Sequence, residues 1–79
     1  MSQYREELES TWEERLAHSG YRVTERCQAI IRAITRSNRA LDPLAIFDIV
    51  RQEFPKLGLM TVYRTIQKLE DLGLLQKMH

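Results

Sequence analysis

The chain has 79 residues, 43% of them hydrophobic and 29% charged, with a formal net charge of +1. That length accommodates one small domain; no apolar run approaches the roughly eighteen residues of a membrane span, and the acidic, polar start is unlike a signal peptide. The single cysteine, Cys27, allows no internal disulfide and suits a reducing compartment, so a cytoplasmic location is expected.

The near-zero charge conceals a division. Residues 1–14 carry five glutamates against Arg5, a net −4, whereas residues 15–79 carry eleven Lys/Arg against six Asp/Glu, a net +5. A basic body permits nucleic-acid binding without establishing it.

Four helical segments follow in chain order. The first is expected over about 3–18, with Tyr4, Leu8, Trp12 and Leu16 on one stripe and glutamates crowding the N-terminal half, where the helix dipole favours them. Ser19-Gly20 is its stop, since glycine takes the left-handed conformation without penalty. The second, about 24–36, starts at the capping residue Thr24 and carries Cys27, Ile30, Ile31 and Ile34 on one face, with Arg26, Arg32 and Arg36 turned away. The third, about 43–54, opens with Asp42 as cap and Pro43 at the first helical position, and Pro55 closes it. Ile46, Phe47, Ile49, Val50 and Phe54 give it an apolar side.

The fourth helix, about 59–72, is the most informative. Leu59, Val62, Ile66 and Leu69 fall at i, i+3, i+7 and i+10 and stack on one side. Met60, Arg64, Gln67 and Lys68 point the opposite way, with Thr61 and Tyr63 on the flanks, while the acids Glu70 and Asp71 wait for the last turn. Methyls, a hydroxyl, a phenol and cations on an N-terminal half suit a DNA groove, so this is a candidate recognition helix. After the Gly73 stop, Leu74–Met78 is expected to form one β-strand. The whole reads as a mostly α, winged helix-turn-helix domain over 1–79: four helices followed by a truncated β-wing.

The chain resembles the N-terminal DNA-binding domain of the ferric uptake regulator family. Thr61-Val62-Tyr63-Arg64, followed by Leu69, Gly73 and Leu74, looks like that family's recognition-helix signature. Gly20-Tyr21-Arg22-Val23-Thr24 is similar to the entry to its second helix, with Ile30-Ile31 inside it, and Phe54-Pro55 to the approach to the recognition helix; the likeness runs from about Leu16 to Lys77. The resemblance implies a metal-responsive bacterial repressor that binds AT-rich inverted repeats as a dimer and takes part in metal homeostasis. By position, Tyr63 would pack on thymine methyls and Arg64 would bond to a base edge or phosphate in the major groove. Arg22 would reach into a narrow minor groove, which attracts such a cation. Thr61 joins them as the hydroxyl of the reading surface, and Lys56, Lys68 and Lys77 are phosphate candidates by location.

Three departures stand out. Cys27 replaces a common family arginine, with Arg26 next to it as a substitute. Arg39-Ala40-Leu41 offers no ligand where many members carry a metal-binding histidine. The family's C-terminal metal-binding and dimerisation domain is absent from this sequence, as is any Cys-x-x-Cys or histidine-rich segment. The chain is therefore expected to be a fragment of a longer regulator, with a stand-alone short protein as the alternative. It should be a monomer or weak dimer with no cofactor of its own, the family's iron or zinc sites lying mainly in the absent domain.

Plainer roles compete. Tyr63 could prop the helix against a neighbour, Arg64 could be a solvated charge, and Arg22 could serve any of the uses of a loop arginine. Cys27 fits a small core residue better than a ligand or nucleophile. His18 and His79 are isolated, and a structural zinc needs about four ligands. Trp12 and Tyr4 read as packing residues. Without a Ser/His/Asp set, paired carboxylates or a glycine-rich phosphate loop, an enzyme is not expected. The rivals to DNA binding are a winged-helix module for protein–protein contact and a metal-sensing module. The cationic face of the fourth helix argues against the first, because protein interfaces deplete lysine, and the shortage of ligands against the second.

Overall fold

A computed structural model describes residues 2–37 and 42–75. Four helices account for most of them: α1 (Ser2–His18), α2 (Glu25–Thr35), α3 (Pro43–Val50) and α4 (Leu59–Asp71). Asn38, Arg39, Ala40 and Leu41, the side chain of Tyr4, and Gln76, Lys77, Met78 and His79 lie outside the described residues.

Local chemistry sets most helix ends. Thr24 caps α2, its hydroxyl accepting the Cys27 N–H at 3.2 Å, and Asp42 caps α3 by accepting the Ala45 N–H at 2.8 Å ahead of Pro43. Both glycine stops are Schellman motifs. At the end of α1, Gly20 has φ +87° while its N–H bonds to the Ala17 carbonyl and that of Tyr21 to Leu16, both at 3.1 Å. At the end of α4, Gly73 has φ +75°, with its N–H on the Glu70 carbonyl and that of Leu74 on Leu69, both at 3.0 Å.

Two expectations for α3 need correction, and one for the segment after Gly73. α3 was expected to reach Phe54 but ends at Val50. The chain instead coils tightly round the Val50 carbonyl, which accepts N–H bonds from both Glu53 and Phe54 at 3.0 Å. The turn that follows delivers Leu57, 6% exposed, into the core. Ile49, expected on the apolar side, is 48% exposed, because an eight-residue helix buries only the narrow face holding Ile46 and Val50. Among the described residues there is no strand: Leu74 and Leu75 sit in bends that follow the Gly73 stop, and the rest of the expected wing strand lies outside them.

The core has two lobes. Ala29, Ile30, Ile46, Val50, Leu57, Val62 and Ile66 join α2, α3 and α4. Trp12, Leu16, Cys27, Ile31 and Leu69 join α1, α2 and α4. Ile34 packs against both lobes. α4 thus buries Val62, Thr65, Ile66 and Leu69, leaving its opposite side outward. Around this core, the Arg36 Nε meets Glu9 at 2.9 Å, tying the end of α2 to α1, and an Arg15 Nη donates to the Leu72 carbonyl at 3.1 Å, tying α1 to the end of α4.

Val62 is fully buried, so Val62→Asp forces an unpaired carboxylate into a small core. We expect loss of the cooperative thermal transition followed by circular dichroism; melting like that of the parent would show that α4 packs on a different face.

Candidate functional site

The outward side of α4 is shaped by what the inward side must bury. With Val62, Thr65, Ile66 and Leu69 committed to the core, a helical repeat of 3.6 residues turns Met60, Tyr63, Arg64 and Gln67 to the surface. There they line a shallow groove of about 390 Å³ with Lys68, Asp71 and Tyr21 of the α1–α2 linker. Met60 is 63% exposed and Tyr63 44%, both high for large apolar side chains. Arg64 and Lys68 supply its cations, and neither forms an ion pair among the described residues. Asp71 supplies the one acid, at the C-terminal end of the helix.

The α4 N-terminus adds to this surface. Gly58 is its N-cap and provides no side-chain acceptor, and the first turn holds no acid. The Thr61 N–H bonds back to the Gly58 carbonyl at 3.1 Å, which leaves the Leu59 and Met60 amides, at the positive end of the helix dipole, without an acceptor among the described residues. Lys56 stands exposed two residues earlier. Thr61 is exposed in the first turn, and its carbonyl accepts the hydroxyl of buried Thr65 at 2.9 Å.

Arg22 reaches the surface by a different route. The linker 21–24 has no regular structure; Tyr21 and Val23 pack on the α1–α2–α4 lobe, and Arg22 between them is exposed. The phenol of Tyr21 meets the Thr65 hydroxyl at 3.2 Å, so the linker is fastened to α4 directly beneath the groove.

Of the residues singled out in the sequence, Tyr63, Arg64 and Lys68 thus share one groove. Arg22 lies on a linker that touches it, Thr61 and Lys56 sit at the N-terminal end of α4, and Lys77 is outside the described residues. Sequence reasoning missed Tyr21 and Thr65. Thr65 lies three residues after Val62 and four before Leu69, on the buried face; its hydroxyl reads as surface in a hydrophobicity pattern, although the residue is 1% exposed. A second hollow, of about 470 Å³, lies between α2 and α3 over Ala29, Ala33, Ile49 and Val50. None of the candidate DNA-contact residues line it, and rim residue Arg32 is turned to Glu53 at 3.8 Å.

No metal chemistry gathers at these surfaces: among the described residues, no group of three or more His, Cys, Asp or Glu could hold an ion. Cys27 is a core thiol, 3% exposed. Burial pushes its pKa up from 9.0 to about 11, the Glu13 carboxylate adds to the rise, and a hydrogen bond with the Thr24 backbone works the other way.

Against known protein families, residues 18–79 match the model of the ferric uptake regulator family. No curated protein and no solved structure matches the chain.

The Cys27 thiol gives a pH prediction. The fold favours its protonated form, so that contribution to stability is intact below pH 9 and is lost as pH rises toward about 11. Denaturant unfolding across that interval should show the parent losing stability more steeply than Cys27→Ala; parallel losses would mean the thiol titrates as it does in the unfolded chain.

Proposed function

Because the chain belongs to the ferric uptake regulator family, whose members are metal-responsive transcriptional regulators and not enzymes, we propose that it is the DNA-binding part of a cytoplasmic repressor. α4 is its recognition helix, and the target is an AT-rich inverted repeat. The observation that carries this reading is the groove on α4: an exposed phenol, an exposed thioether and two cations that form no ion pair among the described residues, all on one helix face. A face built only for solubility would not expose Met60 and Tyr63 side by side with Arg64.

The division of labour follows from the chemistry of each group. Tyr63 and Met60 offer apolar surface to thymine methyls in the major groove, while Arg64 has donors for a base edge or phosphate. Thr61 adds a hydroxyl to the same reading surface, Lys56 and Lys68 hold phosphates, helped by the Leu59 and Met60 amides at the start of α4, and Lys77 is assigned the phosphate role by its position in the sequence. Arg22 enters the adjacent minor groove, which is narrow and strongly negative over A·T pairs. The acid Asp71 limits the contact to the N-terminal turns of α4. The segment after Gly73 leads into a wing.

One such surface covers half of an inverted repeat. Two copies spaced by about one turn of DNA read both halves, and joining them raises affinity through effective concentration with no new contact. A single copy therefore binds weakly, with an affinity dominated by phosphate neutralisation.

Two variants separate readout from positioning on the backbone. Arg64→Ala should weaken binding to an AT-rich repeat by about 1–3 kcal/mol and relax selectivity at one position, whereas Lys56→Ala should weaken binding to every duplex alike and lower the salt slope by about 1. Fluorescence anisotropy reads both effects, and a folded Arg64→Ala that binds like the parent would remove Arg64 from the interface.

A further inference from the structure

Beneath the groove a chain of three polar groups crosses from the α1–α2 linker to the first turn of α4. The Thr65 hydroxyl lies 2.9 Å from the Thr61 carbonyl and 3.2 Å from the Tyr21 phenol. A hydroxyl has one proton to give, and a carbonyl can only accept. Thr65 therefore donates to Thr61, and the Tyr21 phenol donates to Thr65. The direction of the chain is fixed: Tyr21 to Thr65 to the backbone of α4.

The two ends of this chain belong to two elements of the surface. Tyr21 is itself held at the linker end, because its N–H closes the Schellman motif on the Leu16 carbonyl at 3.1 Å. Its neighbour Arg22 is exposed. At the other end, Thr61 is flanked by Met60 and followed within three residues by Tyr63 and Arg64. Apolar packing alone restrains rotation and sliding of a helix weakly, since it is non-directional. A hydrogen-bonded chain fixes one height and one rotation.

We propose that Tyr21 and Thr65 are positioning residues that set α4 against the linker, so that Arg22 and the Tyr63–Arg64 face meet DNA as one rigid surface. The inference rests on the DNA-binding reading above and adds to it the coupling of two contacts in neighbouring grooves. Holding both in register spares the protein the ordering cost of aligning them on binding.

Thr65 makes the test decisive. At 1% exposed it cannot touch DNA, so any loss in Thr65→Val travels through the position of α4. Tyr21→Phe keeps the ring and removes the donor. We compare both single variants and the double variant with the parent by anisotropy on an AT-rich inverted repeat and a random duplex, with thermal melting alongside. The expected result is that each single variant melts within about 8 °C of the parent yet loses about 2- to 10-fold of its preference for the repeat. The double variant should do no worse than the poorer single one. A parent that discriminates while Thr65→Val discriminates equally well overturns the positioning role and leaves DNA binding intact; loss in Tyr21→Phe alone would mean that the phenol touches DNA directly. A parent with no preference between duplexes removes the DNA-readout premise, and the proposal with it.

Discussion

The architecture depends on α2 being buried on two faces at once. Ile30 and Ile31 are adjacent, both are fully buried, and each belongs to a different lobe of the core. Neighbours on a helix point about 100° apart, so one short helix serves as the wall between two apolar clusters. α1 covers one cluster and α3 the other. α4 completes both, with Val62 and Ile66 in the cluster under α3 and Leu69 in the cluster under α1. Its remaining face, with Met60 and Tyr63 exposed, is left to solvent or to a partner.

Directional contacts then refine what apolar packing leaves loose. Two Schellman motifs stop α1 and α4, each two residues before a glycine. Arg15 holds the far end of α4 through the Leu72 carbonyl, Tyr21 holds its first half through Thr65, and Arg36 joins α2 to α1 through Glu9. Each is worth only about 1 kcal/mol or less in net stability, so their effect lies in orientation. In a small domain with a limited core, such contacts decide whether a surface residue points at a partner or past it.

Much of this was legible in the residues. Thr24, Asp42-Pro43, Ser19-Gly20 and Gly73 mark helix ends because capping is a local matter, settled by one side chain or one glycine. The stripe of α4 was legible because it repeats over thirteen residues. The end of α3 was not: five of its eight residues are large and apolar, so no period distinguishes buried Ile46 from exposed Ile49, and the tight turn after Val50 is driven by the need to bury Leu57 downstream. The candidate site divides the same way. Tyr63, Arg64 and Lys68 could be found from their place opposite an apolar stripe, whereas Tyr21 and Thr65 meet across 44 positions in the chain, and no local pattern announces such a pairing.

The proposed role in DNA binding requires the outward face of α4 to meet the duplex. The most direct measurement is anisotropy of a labelled AT-rich inverted-repeat duplex titrated with the parent protein across a salt series, with a random duplex of equal length as control. The account predicts tighter binding to the repeat than to the control, with log affinity falling linearly as log salt rises. Absence of binding to either duplex at low salt would contradict it and make the groove on α4 a surface for another kind of partner.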